Sequence, residues 1–285
     1  MAELYEIAQW PDVTDPVLVI ALDGWIDAGI GAGAAMAHLG QEMDTKLVAT
    51  FDAEALIDYR SRRPIMHLVE GVNTKLTWPS IELRHGVDGE GNDVLLLTGA
   101  EPDARWQSFT DDVVDLVGEL GVGLVVGLGA YPAAVPHTRA TRLSTSATNA
   151  ELAARAGHLA GTLDVPAGVQ AAIERRCAEE GVPNVGIWAQ VPHYVAGMPY
   201  PGASVALLEG LEKLAGVRVD LDPLREADRL LKLRLDTLVG ENPEHLEMLH
   251  QLEHVYDEAS ELMGPVPTGD ELAAEVERYL REMGR

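Results

Sequence analysis

The sequence predicts an α/β protein with a mixed, mostly parallel central sheet flanked by helices and a C-terminal α-helical extension. Three observations predict it. Short apolar runs such as VLVIAL, VLLLTG and GLVVGLG have the length and β-branched content of buried strands. They recur between segments with helical spacing, the pattern of a sheet covered on both faces. After about Asp222 the strand signal stops and only the 3.6-residue period continues. These shifts divide the chain into an α/β domain, residues 1–220, and a helical extension, residues 221–285.

The elements follow in order. Val17 to Leu22 reads as a buried strand, and Asp27 to Leu39 as a helix whose Gly and Ala residues allow close packing on a sheet. Lys46 to Phe51 is a second strand, with a short helical piece from Ala53 to Tyr59. SIELRHG, the turn VDGEGND and VLLLTG form a hairpin leading into the sheet. Ser108 to Leu120 is a helix with Val113, Leu116, Val117 and Leu120 on one face. GVGLVVGLGAYP is a further buried strand. Helices are expected over Thr148 to Arg155 and Val169 to Glu180, a strand at VGIWAQV, and a closing helix at ALLEGLEKLAG. In the extension, Leu224, Ala227, Leu231, Leu235 and Leu238 form one stripe. PEHLEMLHQLEHVYDEASELM and GDELAAEVERYLREMGR supply two more helices with charged outer faces.

Composition narrows the function classes. A chain of 285 residues with 47% apolar content can bury a sizeable core. Its 46 acidic and 21 basic residues leave a formal charge of -25, which repels nucleic acid and anionic membrane. No apolar run is long enough to span a bilayer, and MAELYEIAQW lacks a basic region followed by a hydrophobic one, so a cytoplasmic location is expected. A single cysteine, Cys177, excludes an intramolecular disulfide framework and a cysteine zinc cluster.

No nucleotide device is complete. A P-loop would require a Gly-Lys pair that the first turn lacks. In a dinucleotide fingerprint read from Gly29 and Gly31, Ala34 occupies the third glycine position, and Gly29 lies seven residues beyond Leu22. HQLEH, His250 to His254, matches H-x-x-E-H and puts two imidazoles one helical turn apart, but it lies in the charged extension without a clear third ligand. No serine has the G-x-S-x-G setting, and Cys177 lies in a charged helix with no base nearby in sequence. Neither a catalytic residue, a metal nor a cofactor is therefore assigned.

Strand ends supply the candidate pocket. Asp23 and Asp27 follow the first strand, where open α/β sheets form crevices. Glu101 follows VLLLTG, His137 and Arg139 follow GLGAYP, and His193 follows VGIWAQV. Arg63, in DYRSRRP, adds local positive charge suited to an anion, or to salt bridges with neighbouring carboxylates. If all these ends open on one side, they combine groups able to bind a small anion or move protons. The alternative is that the histidines anchor proline-rich loops. Trp106, in GAEPDARW, fits a core-packed helix start or a pocket wall.

LDGWIDAG, DYRSRRP, GAEPDARW, GLGAYPAAVPHTR and WAQVPHYVAGMPYPG, followed by LEHVYDE and PTGDELAAEVERYLR, resemble the actinobacterial branch of the PAC2 family, the proteasome assembly chaperone 2 family. The resemblance covers nearly the whole chain. It implies a core similar to the nucleoside-phosphorylase and hydrolase type, a homo-oligomer expected to be a trimer, and a non-enzymatic interaction or assembly-chaperone role. The alternative it leaves is a small-molecule binder or an enzyme, hydrolase-like or ligase-like, acting on an anionic substrate at the strand ends.

Overall fold

The computed structural model describes residues 3–148, 152–153 and 164–262. The chain divides into two compact units, Met1–Leu235 and Asp236–Arg285. In chain order the elements are β1 (Tyr5–Ile7), β2 (Val17–Asp23), α1 (Gly31–Glu42), β3 (Lys46–Phe51), α2 (Ala53–Leu56), β4 (Ile65–Val69), β5 (Val72–Thr77), β6 (Ile81–Val87) and β7 (Asp93–Ala100). Then come α3 (Trp106–Glu119), β8 (Leu124–Ala133), β9 (Leu143–Ala147), α4 (Val169–Glu179), β10 (Asn184–Pro192), α5 (Pro201–Ala215), α6 (Asp222–Gly240) and α7 (Pro243–Leu262).

Eight strands form one sheet in the order β1-β3-β6-β7-β2-β8-β10-β9, while β4 and β5 pair separately. The four central strands, β7, β2, β8 and β10, run parallel. Antiparallel strands close both sides, β6, β3 and β1 on one and β9 on the other. This is the mixed sheet expected from the apolar runs, with three parallel pairings at its centre and four antiparallel ones outside them.

Strand side chains alternate between faces, so each central strand feeds two cores. Val19 and Ala21 of β2, with Leu96, Leu128 and Ile187, pack under α1 and α5. Leu18 and Ile20, with Leu95, Leu97 and Val125, pack under α3 and α4. Helices on both faces explain why the strands read as continuous apolar runs rather than as alternating ones. The residues of α6 up to Leu235 extend the first core through Leu224, Leu231 and Leu235. Ala227, expected on the same stripe, is exposed while Asp228 is half-buried, and Leu238 is exposed as well.

The opening glycines serve packing. A Cβ on Gly31 would stand 2.8 Å from the Ala203 Cβ and 3.0 Å from the Ala130 Cβ, so α1 lies against α5 and β8 at a distance only glycine permits. The chain enters α1 through left-handed Gly29 and Ile30, at φ 65° and 54°. The Ser204 hydroxyl donates to the Gly31 carbonyl at 2.8 Å in the same contact.

In the second unit, the Asn242 side chain accepts from the Glu244 N–H at 2.9 Å and starts α7. Val239 and Leu249 are buried. The expected helix from Thr148 to Arg155 falls mostly outside the described residues, with Thr148 in a bend and Leu152 and Ala153 in helix. The one expected in GDELAAEVERYLREMGR lies outside them altogether. Strands β1, β4, β5 and β9 have no counterpart among the expected elements.

Candidate functional site

The parallel strands bring their carboxyl ends to one edge of the sheet, and a cavity of about 1530 Å³ opens there. Asp23 ends β2, level with Ala100 at the end of β7. The Glu101 N–H donates to the Asp23 carbonyl at 2.7 Å, which carries the ladder one step past the strand. Asp23, Asp27, Arg63 and Glu101 all line this cavity.

Two of these carboxylates are committed to helix starts. The Asp27 oxygens accept from the Ala32 and Gly33 N–H groups at 2.8 and 2.9 Å, at the first turn of α1. Burial pushes its carboxyl pKa up, and the same N–H bonds act against that rise. Glu101, 8% exposed, accepts from the Val169 N–H at 2.6 Å, the first residue of α4. In each case an internal carboxylate occupies the place that a bound phosphate takes at a helix N-terminus. At the Gly/Ala-rich first turn of α1, that place is already filled by Asp27.

The arginines divide in the same way. Arg62 donates through Nη1 to the Asp23 carbonyl at 2.5 Å and lies 3.5 Å from Asp103. Gly24, at φ 141°, leaves room for its guanidinium, which a Cβ there would strike. Arg63 lines the cavity and has no ion-pair partner among the described residues. Arg84, also on the lining, pairs with Glu82 at 2.9 Å. The lining therefore carries four carboxylates, Asp23, Asp27, Glu101 and Glu174, against two guanidinium groups.

His137, Arg139 and His193 are not among the lining residues. The His137 ring is fully buried, with Nδ1 2.6 Å from the Tyr194 hydroxyl, and its backbone N–H donates to the same oxygen at 2.9 Å. His193 stands exposed at the start of a short 3₁₀ turn, with its ring edge-on to Tyr194 at 5.4 Å. Arg139 donates to the Thr138 hydroxyl at 3.4 Å. The Trp106 indole donates to the Pro102 carbonyl at 2.6 Å and packs on the core, as a helix-start residue.

Elsewhere, His254 lies 3.5 Å from Glu258 on an exposed face of α7, and no group of three metal-binding side chains occurs among the described residues. Cys177 is buried, and burial pushes its thiol pKa up to about 11, away from the thiolate a nucleophile needs.

The cavity also reaches residues that sequence reasoning passed over. Gln170 and Glu174 of α4, Trp188 of β10, and Ser144 and Ser146 of β9 line it on the α4 face. Glu174 is 9% exposed, and burial pushes its carboxyl pKa from 4.5 to about 7. Two sequence signals point to this group: glycines inside the apolar strands β8 and β10, and a glutamate in phase with Ile173 and Cys177 on a helix.

The PAC2 family profile matches residues 21–239. A Corynebacterium glutamicum protein of unknown function is 32% identical, with 91% of this chain and 99% of that one covered and a TM-score of 0.86. The Mycobacterium tuberculosis unknown function protein Rv2714 is 35% identical, with 92% of each chain covered and a TM-score of 0.86. The Mycobacterium tuberculosis proteasome-assembly chaperone homologue Rv2125 is 35% identical, with 82% of this chain and 99% of that one covered and a TM-score of 0.76. No curated protein matches the chain. With a profile match over most of its length and these actinobacterial relatives, the chain belongs to the PAC2 family.

Proposed function

We propose that this chain is a non-enzymatic interaction protein of assembly-chaperone type that works as a homotrimer in the cytoplasm. One observation carries the proposal. Every residue of β4 and β5 is exposed, including Ile65, Met66, Leu68, Val69, Val72 and Leu76. A lone two-stranded hairpin is marginally stable in water, and an apolar one invites a partner. Charge favours a second copy as that partner. Tyr59 to Pro79 carries three arginines and one lysine against one glutamate in a chain of charge -25, so the hairpin is attracted to an acidic body of its own kind. The name of the Mycobacterium tuberculosis relative, a proteasome-assembly chaperone homologue, supports an assembly role.

The test is the mass of the full chain by light scattering and native mass spectrometry, with Leu68→Glu plus Val72→Glu as the variant. A trimer is expected that falls to monomers in the variant while far-UV circular dichroism is unchanged. Protein taken gently from its own cytosol should also carry another protein subunit in fixed ratio. A monomeric wild type, or an oligomer indifferent to both substitutions, overturns the proposal.

A second reading, a small-molecule site at the strand ends, is favoured by the cavity that gathers Asp23, Asp27, Arg63 and Glu101. The excess of carboxylates on its lining favours a cation over the anion that Arg63 alone suggests. Catalysis has less support, since Asp27 and Glu101 already accept from helix N–H groups.

A further inference from the structure

On the α4 face of the sheet, backbone has been cleared of side chains beneath one polar cluster. A Cβ on Gly127 would collide with the Gln170 amide and stand 2.5 Å from Glu174 Oε1. One on Gly186 would stand 2.6 Å from Ser146 Oγ and 2.8 Å from Glu174 Oε1, and one on Gly129 would collide with the Trp188 ring. Glycine inside a strand costs stability and calls for a local reason. Here three glycines on two neighbouring strands let Gln170, Glu174 and Trp188 rest directly on the sheet.

Glu174 has unspent bonding capacity. The Gln170 amide donates to Oε1 at 3.0 Å, and the Ser146 hydroxyl reaches Oε2 only at 3.5 Å. Both donors are neutral, and no arginine, lysine or histidine pairs with this carboxylate among the described residues. Asp27 and Glu101 differ, because each serves a helix start. A buried carboxylate without a cation is costly, and Glu174 lines the cavity at the strand ends.

The surroundings define what would satisfy it. Trp188 lies beside the carboxylate, half-buried, and its indole N–H makes no hydrogen bond among the described residues. Ser144 takes bonds from the Gln190 amide at 3.0 Å and shares one with the Tyr131 hydroxyl at 2.7 Å. An aromatic ring and a carboxylate on one cavity lining suit an ammonium group, which gains from the ion pair and from the ring quadrupole together.

We propose that Glu174, Gln170, Ser146 and Trp188 form a binding site for a small organic cation, an ammonium group carried on an apolar body. The proposal rests on the cavity being a ligand site and deepens that reading by naming the ligand class. The raised carboxyl pKa of Glu174 agrees with a negative charge that lacks its counter-ion.

The probes are benzylammonium, benzyl alcohol and benzoate, titrated into the full chain at about pH 8, where Glu174 is ionised, and followed by calorimetry and tryptophan fluorescence. Benzylammonium should saturate with a Kd of about 1 mM, the range open to so small a ligand. Glu174→Gln should weaken it by about tenfold or more, and Trp188→Leu by about threefold or more, with near-UV circular dichroism unchanged. Trp188→Phe, which keeps an aromatic face, should retain most of the affinity. Benzyl alcohol binding as well as benzylammonium, or benzylammonium binding unchanged in Glu174→Gln, overturns the proposal. Saturable benzoate binding without benzylammonium binding overturns it and leaves the strand-end ligand site standing. Binding by none of the three overturns both.

Discussion

Replacing Glu174 by glutamine should stabilise the protein, and by an amount that depends on pH. The carboxyl sits under α4 with two neutral donors, and burial raises its pKa from 4.5 to about 7 in the folded protein. Below pH 4.5 the group is protonated folded or unfolded and contributes no pH-dependent penalty. Between pH 4.5 and about 7 the unfolded chain ionises while the folded chain keeps its proton, so stability falls as pH rises. At about 1.36 kcal/mol for each pH unit between the two pKa values, the loss reaches roughly 3 kcal/mol above the folded value. Glutamine pays none of it, and its amide can still accept from Gln170 and donate to Ser146. The two proteins should therefore be nearly equal near pH 4.5 and differ by roughly 3 kcal/mol at about pH 8, or about 6–12 °C in Tm. Calorimetric unfolding across that range, at matched protomer concentration, measures it. A difference that stays constant with pH, or a variant less stable than wild type at pH 8, would refute the reasoning.

Two further outcomes bear on the same architecture. Gly186→Ala should destabilise by about 1–3 kcal/mol, because its methyl meets Ser146 and Glu174, whereas Gly118→Ala on open α3 surface should stabilise by about 0.5–1 kcal/mol; urea denaturation compares them. Asp27→Ala should cost about 1–2 kcal/mol by leaving the Ala32 and Gly33 N–H groups without their acceptor, while Asp27→Asn, which keeps an oxygen there, should cost clearly less; a thermal melt of both variants reads the split.

The cavity explains how one chain can invite both an interaction and a ligand reading. Ile65, Thr77 and Trp78, at the root of the exposed hairpin, line the same cavity as Asp23 and Glu101. Trp78 also stacks edge-on with Tyr59 at 4.8 Å, which ties the hairpin root to the segment carrying Arg62 and Arg63. A contact that the proposed oligomer makes through the hairpin would therefore also alter the rim of this cavity.

Burial governed what could be read in advance. The central strands announce themselves because both faces are covered, so VLVIAL, VLLLTG and VGIWAQV carry almost no polar residue. β1 has only three residues and β5, VNTKLT, is mostly polar, so neither carries the continuous apolar run by which buried strands are found, while IMHLV of β4 is largely apolar yet exposed throughout. β9, LSTSA, lies at the sheet edge with hydroxyl side chains turned toward the α4 face, and reads as loop. Glu174 sits in IERRCAEE, whose charge describes the outer side of α4; only the helical phase relative to Ile173 and Cys177 marks it as inward.

Taken alone, the sequence determined the α/β class, the parallel centre of the sheet, the acidic surface and the strand-end positions of Asp23 and Glu101. Each follows from local hydrophobic period or simple charge count, which chain neighbours suffice to express. Only the tertiary structure decided that Asp27 and Glu101 cap helices, that His137 turns inward to Tyr194, and that Glu174 meets Trp188 and Ser146 over a glycine floor. Asp27 reaches N–H groups only five and six residues on, but the other contacts join residues distant in the chain, and it is sheet order and helix crossover that set the distances between them.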